Sequence, residues 1–358
     1  MDRRFALKED SETLSRRIKE IASHKWRIME VCGGQTNSII RYNLEALLPD
    51  NIELVHGPGC PVCVTPAAIV DKAAELAMKE NIVLLTFGDM MRVPGSDGET
   101  LSEVRSKGGN IKILYSPLDA VTMAENMPGK EIIFLAVGFE TTAPIYAFMI
   151  LEAEKRKICN LSIISSLFAI PSAIRMIVSD PDNRIDGVLA AGHVCSITGE
   201  DEYEKLSESL KKPVVITGFE PTDIMLGIYH CIKMLEEGKP SLFNAYRRAV
   251  NRSGNVKAKG DLYEVFEPAD NQWRGIGTIP ASGLKLKRKY EHYNALLRFP
   301  TKADACETAV CRAGDIMFGK IQVHQCPYFR KQCTPEHPLG AAMVSAEGVC
   351  SIVYNYSA

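Results

Sequence analysis

Ile52-Glu53-Leu54-Val55-His56-Gly57-Pro58-Gly59-Cys60-Pro61-Val62-Cys63 is the stretch from which the chain is read. A short strand-like run enters a Gly/Pro turn that carries two cysteines two residues apart. Beyond it, Thr65 is an expected N-cap and Pro66 suits the first helical position. Ala67 to Lys79 then sets Ile69, Val70, Ala73, Leu76 and Ala77 on one helical stripe. The cysteine pair therefore lies between the carboxyl end of a strand and the amino end of a helix, where the helix terminus favours thiolate over thiol. Cys63, nearer that helix, is expected to be the more acidic thiol. A CxxC so placed is a redox pair or half a metal site.

The same strand–Gly loop–helix plan recurs on both sides. Trp26 to Val31 ends at Cys32-Gly33-Gly34-Gln35-Thr36-Asn37. Ile82 to Phe87 runs into Gly88-Asp89-Met90-Met91-Arg92, and Ile111 to Tyr115 follows. A second series has strands at Glu131 to Val137, Leu161 to Leu167, Ile185 to Ala190 and Val214 to Thr217. Its loops carry Gly138-Phe139-Glu140-Thr141-Thr142, Gly192-His193-Val194-Cys195 and Gly218-Phe219-Glu220. Apolar strands alternating with helices predict parallel sheets covered on both faces. The fold class is α/β: two Rossmann-like domains, residues 1–118 and 119–238, followed by a small irregular domain, 239–358. In that last part Asn251 to Gly260 reads as a loop and Gln272 to Ser282 as a Gly-rich segment.

The 358 residues include 46% apolar and 24% charged, enough for a sizeable core, and the net charge of −2 gives no reason to expect nucleic acid or an acidic membrane surface as partner. No apolar run approaches the ~18 residues of a membrane span, and the charged start, Met1-Asp2-Arg3-Arg4, is not a secretory signal. Eleven cysteines without an export signal point to reduced thiols, metal or redox chemistry, and to a cytoplasmic location.

Functional groups in parallel sheets gather at the carboxyl ends of strands. That rule puts Cys32, Cys60, Cys63, Asp89 and Arg92 on the edge of the first unit. Glu140, Thr141, Thr142, His193 and Glu220 fall on the edge of the second. Two facing edges would enclose a cleft with thiols on one wall. Five further cysteines fall in the tail. From Cys311 to Cys326, Cys333 and Cys350 the gaps are fourteen, six and sixteen residues, with no CxxC among them. Such spacing suits a [4Fe–4S] cluster, with zinc or free thiols as alternatives. Cys159, Cys195, Cys231 and Cys306 read as ordinary thiols, His230 and His324 as structural, Met90 and Met91 as core or cleft wall. A bracing ion pair is the alternative reading of Asp89 and Arg92.

The chain resembles the HypD family of [NiFe]-hydrogenase maturation proteins over nearly its whole length. The likeness rests on Met29 to Gly34, His56 to Cys63, Gly88-Asp89 with Arg92 to Gly95, Gly138 to Pro144, Gly192 to Val194, and the tail cysteines with Thr334-Pro335, Pro338 to Ala341 and Val344 to Gly348. The resemblance implies that Cys311, Cys326, Cys333 and Cys350 hold a [4Fe–4S] cluster. It implies that Cys32 holds the iron of a nascent Fe(CN)2CO group shared with a small HypC-type chaperone. Cys60 and Cys63 would exchange electrons with the cluster, and Glu140, Thr141, Thr142 and His193 would line the central cleft. A HypE-type partner would bring cyanide as a thiocyanate. Gln35 and Asn37 stand where many members carry histidine, which leaves His56 and His193 as the nearest titratable groups. Gln35 or Thr36 could donate hydrogen bonds to bound cyanide. A free-standing iron–sulfur thiol–disulfide oxidoreductase and a zinc-stabilised interaction module are the alternative functions.

Overall fold

The computed structural model describes residues 3–302 and 310–357, with side chains from residue 11 onward. Cys306 lies outside them. Strands β1 (Trp26–Glu30), β2 (Ile52–His56), β3 (Ile82–Thr86), β4 (Ile111–Ile113), β5 (Glu131–Gly138), β6 (Leu161–Leu167), β7 (Gly187–Ala191), β8 (Val214–Thr217) and β9 (Leu242–Asn244) alternate with helices. β3, β7 and β8 are buried at every residue, as helices on both faces require.

The strands pair in two parallel sheets, ordered β2-β1-β7-β8-β9 and β4-β3-β5-β6. The sheets are not the consecutive halves that boundaries at 118 and 238 implied. The four-stranded sheet is inserted in the chain between β2 and β7, and the five-stranded sheet closes around that insertion. Which strand pairs with which is a long-range property, and local periodicity does not encode it. In the larger sheet the chain leaves β1 toward β2 on one side and β7 toward β8 on the other. The β1/β7 boundary is thus a switch point with a crevice at its carboxyl end. β3 and β5 make the equivalent boundary in the smaller sheet.

The last third is more regular than expected. Helix Val256–Val265 replaces part of the expected loop, capped by Asn255, whose side chain accepts from the Ala258 N–H at 3.0 Å. β10 (Phe266–Trp273) and β11 (Gly277–Leu286) form an antiparallel hairpin. Trp273 is fully buried, donates to Ser282 at 2.7 Å and packs on Phe139 and Phe168. The next residue ties the hairpin to the CxxC loop, as Arg274 N–H donates to Val64 C=O at 2.8 Å. Short helices such as Ala313–Met317 and Val349–Tyr356 complete the tail. Among the described residues no helix is long and apolar enough to cross a membrane.

Candidate functional site

Cys32 follows β1 and occupies the N-cap of helix Gly33–Arg41. His193 begins the turn after β7 in helix Gly192–Thr198. Because β1 and β7 are neighbours, with Glu30 opposite Leu189, the two side chains meet at the crevice of the switch point. Cys32 Sγ lies 3.7 Å from His193 Nδ1. The expectation of two facing walls is corrected here: thiol and imidazole come from adjacent strands of one sheet. Burial pushes the Cys32 thiol up to about 12, with Glu30 adding to it and the Gln35 and Gly34 backbone opposing. Burial lowers His193 to about 4, so its ring is neutral at pH 7. Phe219, from the loop after β8, packs against that ring with centroids 5.2 Å apart.

Beneath Cys32 sits a buried polar hub. Glu30, fully buried at the end of β1, accepts from the Cys32 backbone N–H at 2.8 Å and from Thr36 Oγ1 at 2.5 Å. His56, at the end of β2, lies with Nδ1 2.8 Å from Oε1 of that carboxylate, the oxygen that Thr36 also bonds, while the Cys32 N–H takes Oε2. Burial disfavours a charged His56, but the hydrogen bond and charge of Glu30 outweigh it and raise its pKa. Sequence reasoning noted His56 and overlooked Glu30. The available signal was one carboxylate inside the apolar run Ile28-Met29-Glu30-Val31. Thr36 is committed to Glu30, and Gln35 Nε2 faces the carbonyls of Ala190 and Thr217 at 3.3 and 3.4 Å. Neither stands free to serve as the expected cyanide donor.

The CxxC loop presses directly on this hub. A Cβ at Gly59 would lie 2.3 Å from the Cα of Cys32, and Gly33 N–H donates to Gly59 C=O at 3.1 Å. Cys60 and Cys63 are joined as a disulfide and both are buried. Cys60 caps the one-turn helix Pro61–Val64, its sulfur accepting from Cys63 N–H at 3.1 Å. This overturns the basis for expecting Cys63 to be the more acidic. It also removes Thr65 from its expected capping role; its hydroxyl donates to Pro61 C=O at 2.9 Å instead.

The tail brings Cys311, Cys326, Cys333 and Cys350 close enough to influence one another. Burial raises the Cys333 and Cys350 thiols, and the neighbouring tail sulfurs raise them further. Leu339 N–H donates to Cys333 Sγ at 3.5 Å. Among the described residues no three His, Cys, Asp or Glu side chains converge on a single-ion site. Cys63 and Cys311 line one small void of about 30 Å³. A second void, about 10 Å³, is lined by Cys60, Cys63, Gly33 and Glu347. The three sets of sulfur are therefore contiguous: Cys32 against the CxxC loop, and that loop against the tail.

The remaining candidates lie apart. Glu140, after β5, is buried and accepts from Ile170 N–H at 2.9 Å. Burial, aided by Glu202, raises it to about 8. Its charge opposes ionisation of the buried Cys195 thiol and Tyr203 phenol, both of which burial raises well above their ordinary values. Thr142 is exposed and donates to Phe139 C=O, and Thr141 is half-buried beside it. Among the described contacts none of these three touches Cys32. Asp89 and Arg92 do not pair; Arg92 reaches Val344 C=O at 3.4 Å. His230 stacks on Phe243, and Cys159 is exposed.

The family model for HypD, described as the Hydrogenase formation hypA family, matches residues 9–357. Hydrogenase maturation factor HypD2 of Bradyrhizobium diazoefficiens is 42% identical, covering 98% of this chain and 95% of the relative. HypD of Escherichia coli is 38% identical over 95% of this chain and 93% of its own length. HypD of Rhodobacter capsulatus is 39% identical over 96% and 92%. A solved conserved domain protein from Vibrio cholerae aligns with a TM-score of 0.15 at 10% identity, covering 76% of this chain and 99% of its own, and carries no argument.

Proposed function

The chain belongs to the HypD family of hydrogenase maturation factors, and from that premise we propose that it is the scaffold on which an Fe(CN)2CO unit is assembled with HypC-type and HypE-type partners. The observation that carries this reading is the contiguity of Cys32, the Cys60–Cys63 pair and the tail cysteines. The iron is cargo, and Cys32 is the residue to hold it. Its thiol gives up a proton on coordination, and neutral His193 Nδ1 is the acceptor within reach. Glu30 fixes the Cys32 backbone from below, while the Gly59 approach keeps the disulfide against it.

Cys311, Cys326, Cys333 and Cys350 fit a resident [4Fe–4S] cluster. They are four soft donors that feel one another without converging on one ion, and Cys333 already receives an N–H. A zinc ion, with Zn–S of about 2.3 Å, needs its sulfurs drawn closer. When bound, the cluster supplies electrons one at a time. Cys60 and Cys63 handle two. Releasing cyanide from a thiocyanate takes two electrons: the S–C bond breaks, sulfur leaves as thiolate, and the carbon lone pair bonds to iron. Oxidation of the Cys60 and Cys63 thiols to the disulfide supplies those electrons and releases two protons.

Burial of both Cys60 and Cys63 argues against a free-standing oxidoreductase, whose substrates must reach the sulfurs. The test is infrared spectroscopy of the anaerobically purified complex with a HypC-type partner. Cyanide and carbonyl stretching bands are expected, and Cys32→Ser should abolish them. Bands that persist unchanged in that variant would overturn the assignment.

A further inference from the structure

β2 is one of the two outer strands of the five-stranded sheet. Its register with β1 pairs Trp26 with Ile52 and Glu30 with His56, with bonds from Trp26 N–H to Asn51 C=O and from Gly57 N–H to Glu30 C=O. In a parallel ladder alternate residues face alternate sides. Glu53 and Val55 therefore bond inward, and the N–H and C=O of Leu54 and His56 point outward. Among the described residues no hydrogen bond to these outward groups is found. They face a cleft of about 680 Å³. Its far wall, residues 316–325, runs past β2 without forming a ladder. Arg27 donates to Gly319 C=O at 2.9 Å and Gln322 to Glu53 at 3.3 Å, and the wall comes close to β2 where Gly319 faces Val55. An open strand edge is a template for another chain, and folded proteins normally block it.

We infer that the outer edge of β2 is the docking strand for an extended, acidic segment of a protein partner. Backbone pairing supplies the affinity and the cleft rim supplies the charge preference. Lys320 and Arg330 stand on the rim, and neither forms an ion pair with a carboxylate among the described residues. Arg27 is satisfied by Glu53, so Glu45 is the one carboxylate left to oppose them. Five residues of added strand span about 17 Å, the length of β2 itself. The docked segment ends at His56, whose ring holds Glu30 and whose successor residues lead to Cys60. The inference stands on the sheet edge and does not use the iron chemistry.

The test uses the full chain and a capped hexapeptide of alternating valine and threonine with glutamate at both ends. Hydrogen–deuterium exchange with the peptide at millimolar concentration should slow over residues 52–57. N-methylating one set of alternate peptide residues should abolish the protection, and methylating the other set should leave it, because an added strand bonds through alternate residues only. Lys320→Glu, a side chain that otherwise covers the ring of Phe318, should weaken binding about fivefold. No protection at 52–57, or protection indifferent to which set is methylated, overturns the proposal.

Discussion

Replacing Glu140 by glutamine should make the protein more stable at pH 8 while changing little at pH 5. The carboxyl is buried, and its pKa is raised from 4.5 to about 8, chiefly by burial. Between those values the folded chain keeps a proton that the unfolded chain has lost. Stability must then fall as pH rises, by about 1.4 kcal/mol per pH unit for this one group. Over the whole interval the loss approaches ~5 kcal/mol as an upper bound. Glutamine keeps an acceptor for Ile170 N–H and carries no proton to lose. Urea unfolding of both proteins at half-unit steps from pH 5 to 8.5, in one redox buffer, gives the comparison. The midpoint of the wild type should fall faster with pH than that of Glu140→Gln, the curves separating above pH 5. Parallel curves, or a variant less stable by the same amount throughout, would refute the reasoning.

Gly59→Ala would force a Cβ to within 2.3 Å of Cys32 backbone; a loss of about 1–3 kcal/mol, or outright misfolding, is expected by thermal denaturation. His56→Gln removes the ionic partner of buried Glu30, leaving the Cys32 N–H and Thr36 hydroxyl, and should cost about 3–5 kcal/mol at acidic pH. Because the folded pKa of His56 is raised, that stabilisation is complete below its unfolded value and lost as pH rises through the folded one, so the gap between the two proteins should narrow on the alkaline side. After reduction, Cys60 should be alkylated at lower pH than Cys63, since it sits at the N-cap and receives the Cys63 N–H; mass spectrometry of a pH series checks the order. Cys333→Ala should lose the iron and acid-labile sulfide, about four of each per chain, that the wild type is expected to carry on anaerobic purification.

The sequence made the strands legible because each is an apolar run closed by a Gly-bearing loop, as at Val31-Cys32-Gly33 and Ala191-Gly192-His193. It did not show their partners. Nothing local in β7 says that it lies beside β1 rather than β6, so the meeting of His193 with Cys32 came only with the register. The hairpin of β10 and β11 escaped notice because its outward residues are polar and Gly-rich, while its anchor is one buried tryptophan. Glu140, Thr141 and Thr142 follow a strand end as expected, but that strand belongs to the smaller sheet, whereas His193, expected beside them, follows a strand of the larger. Glu30 was hidden by its own burial: a charged residue in an apolar strand reads as a break until its three partners are seen.

The most direct measurement counts thiols. The chain with its disulfide intact is treated anaerobically with a bulky one-electron reductant, and Cys60 and Cys63 are then alkylated and quantified by mass spectrometry. Both should become free thiols in the wild type purified with its iron and remain joined in Cys311→Ala, because a cluster held by the tail sulfurs would pass the two electrons to the buried pair beside it. Equal reduction in the two proteins would contradict the claim that these sulfurs work as one unit.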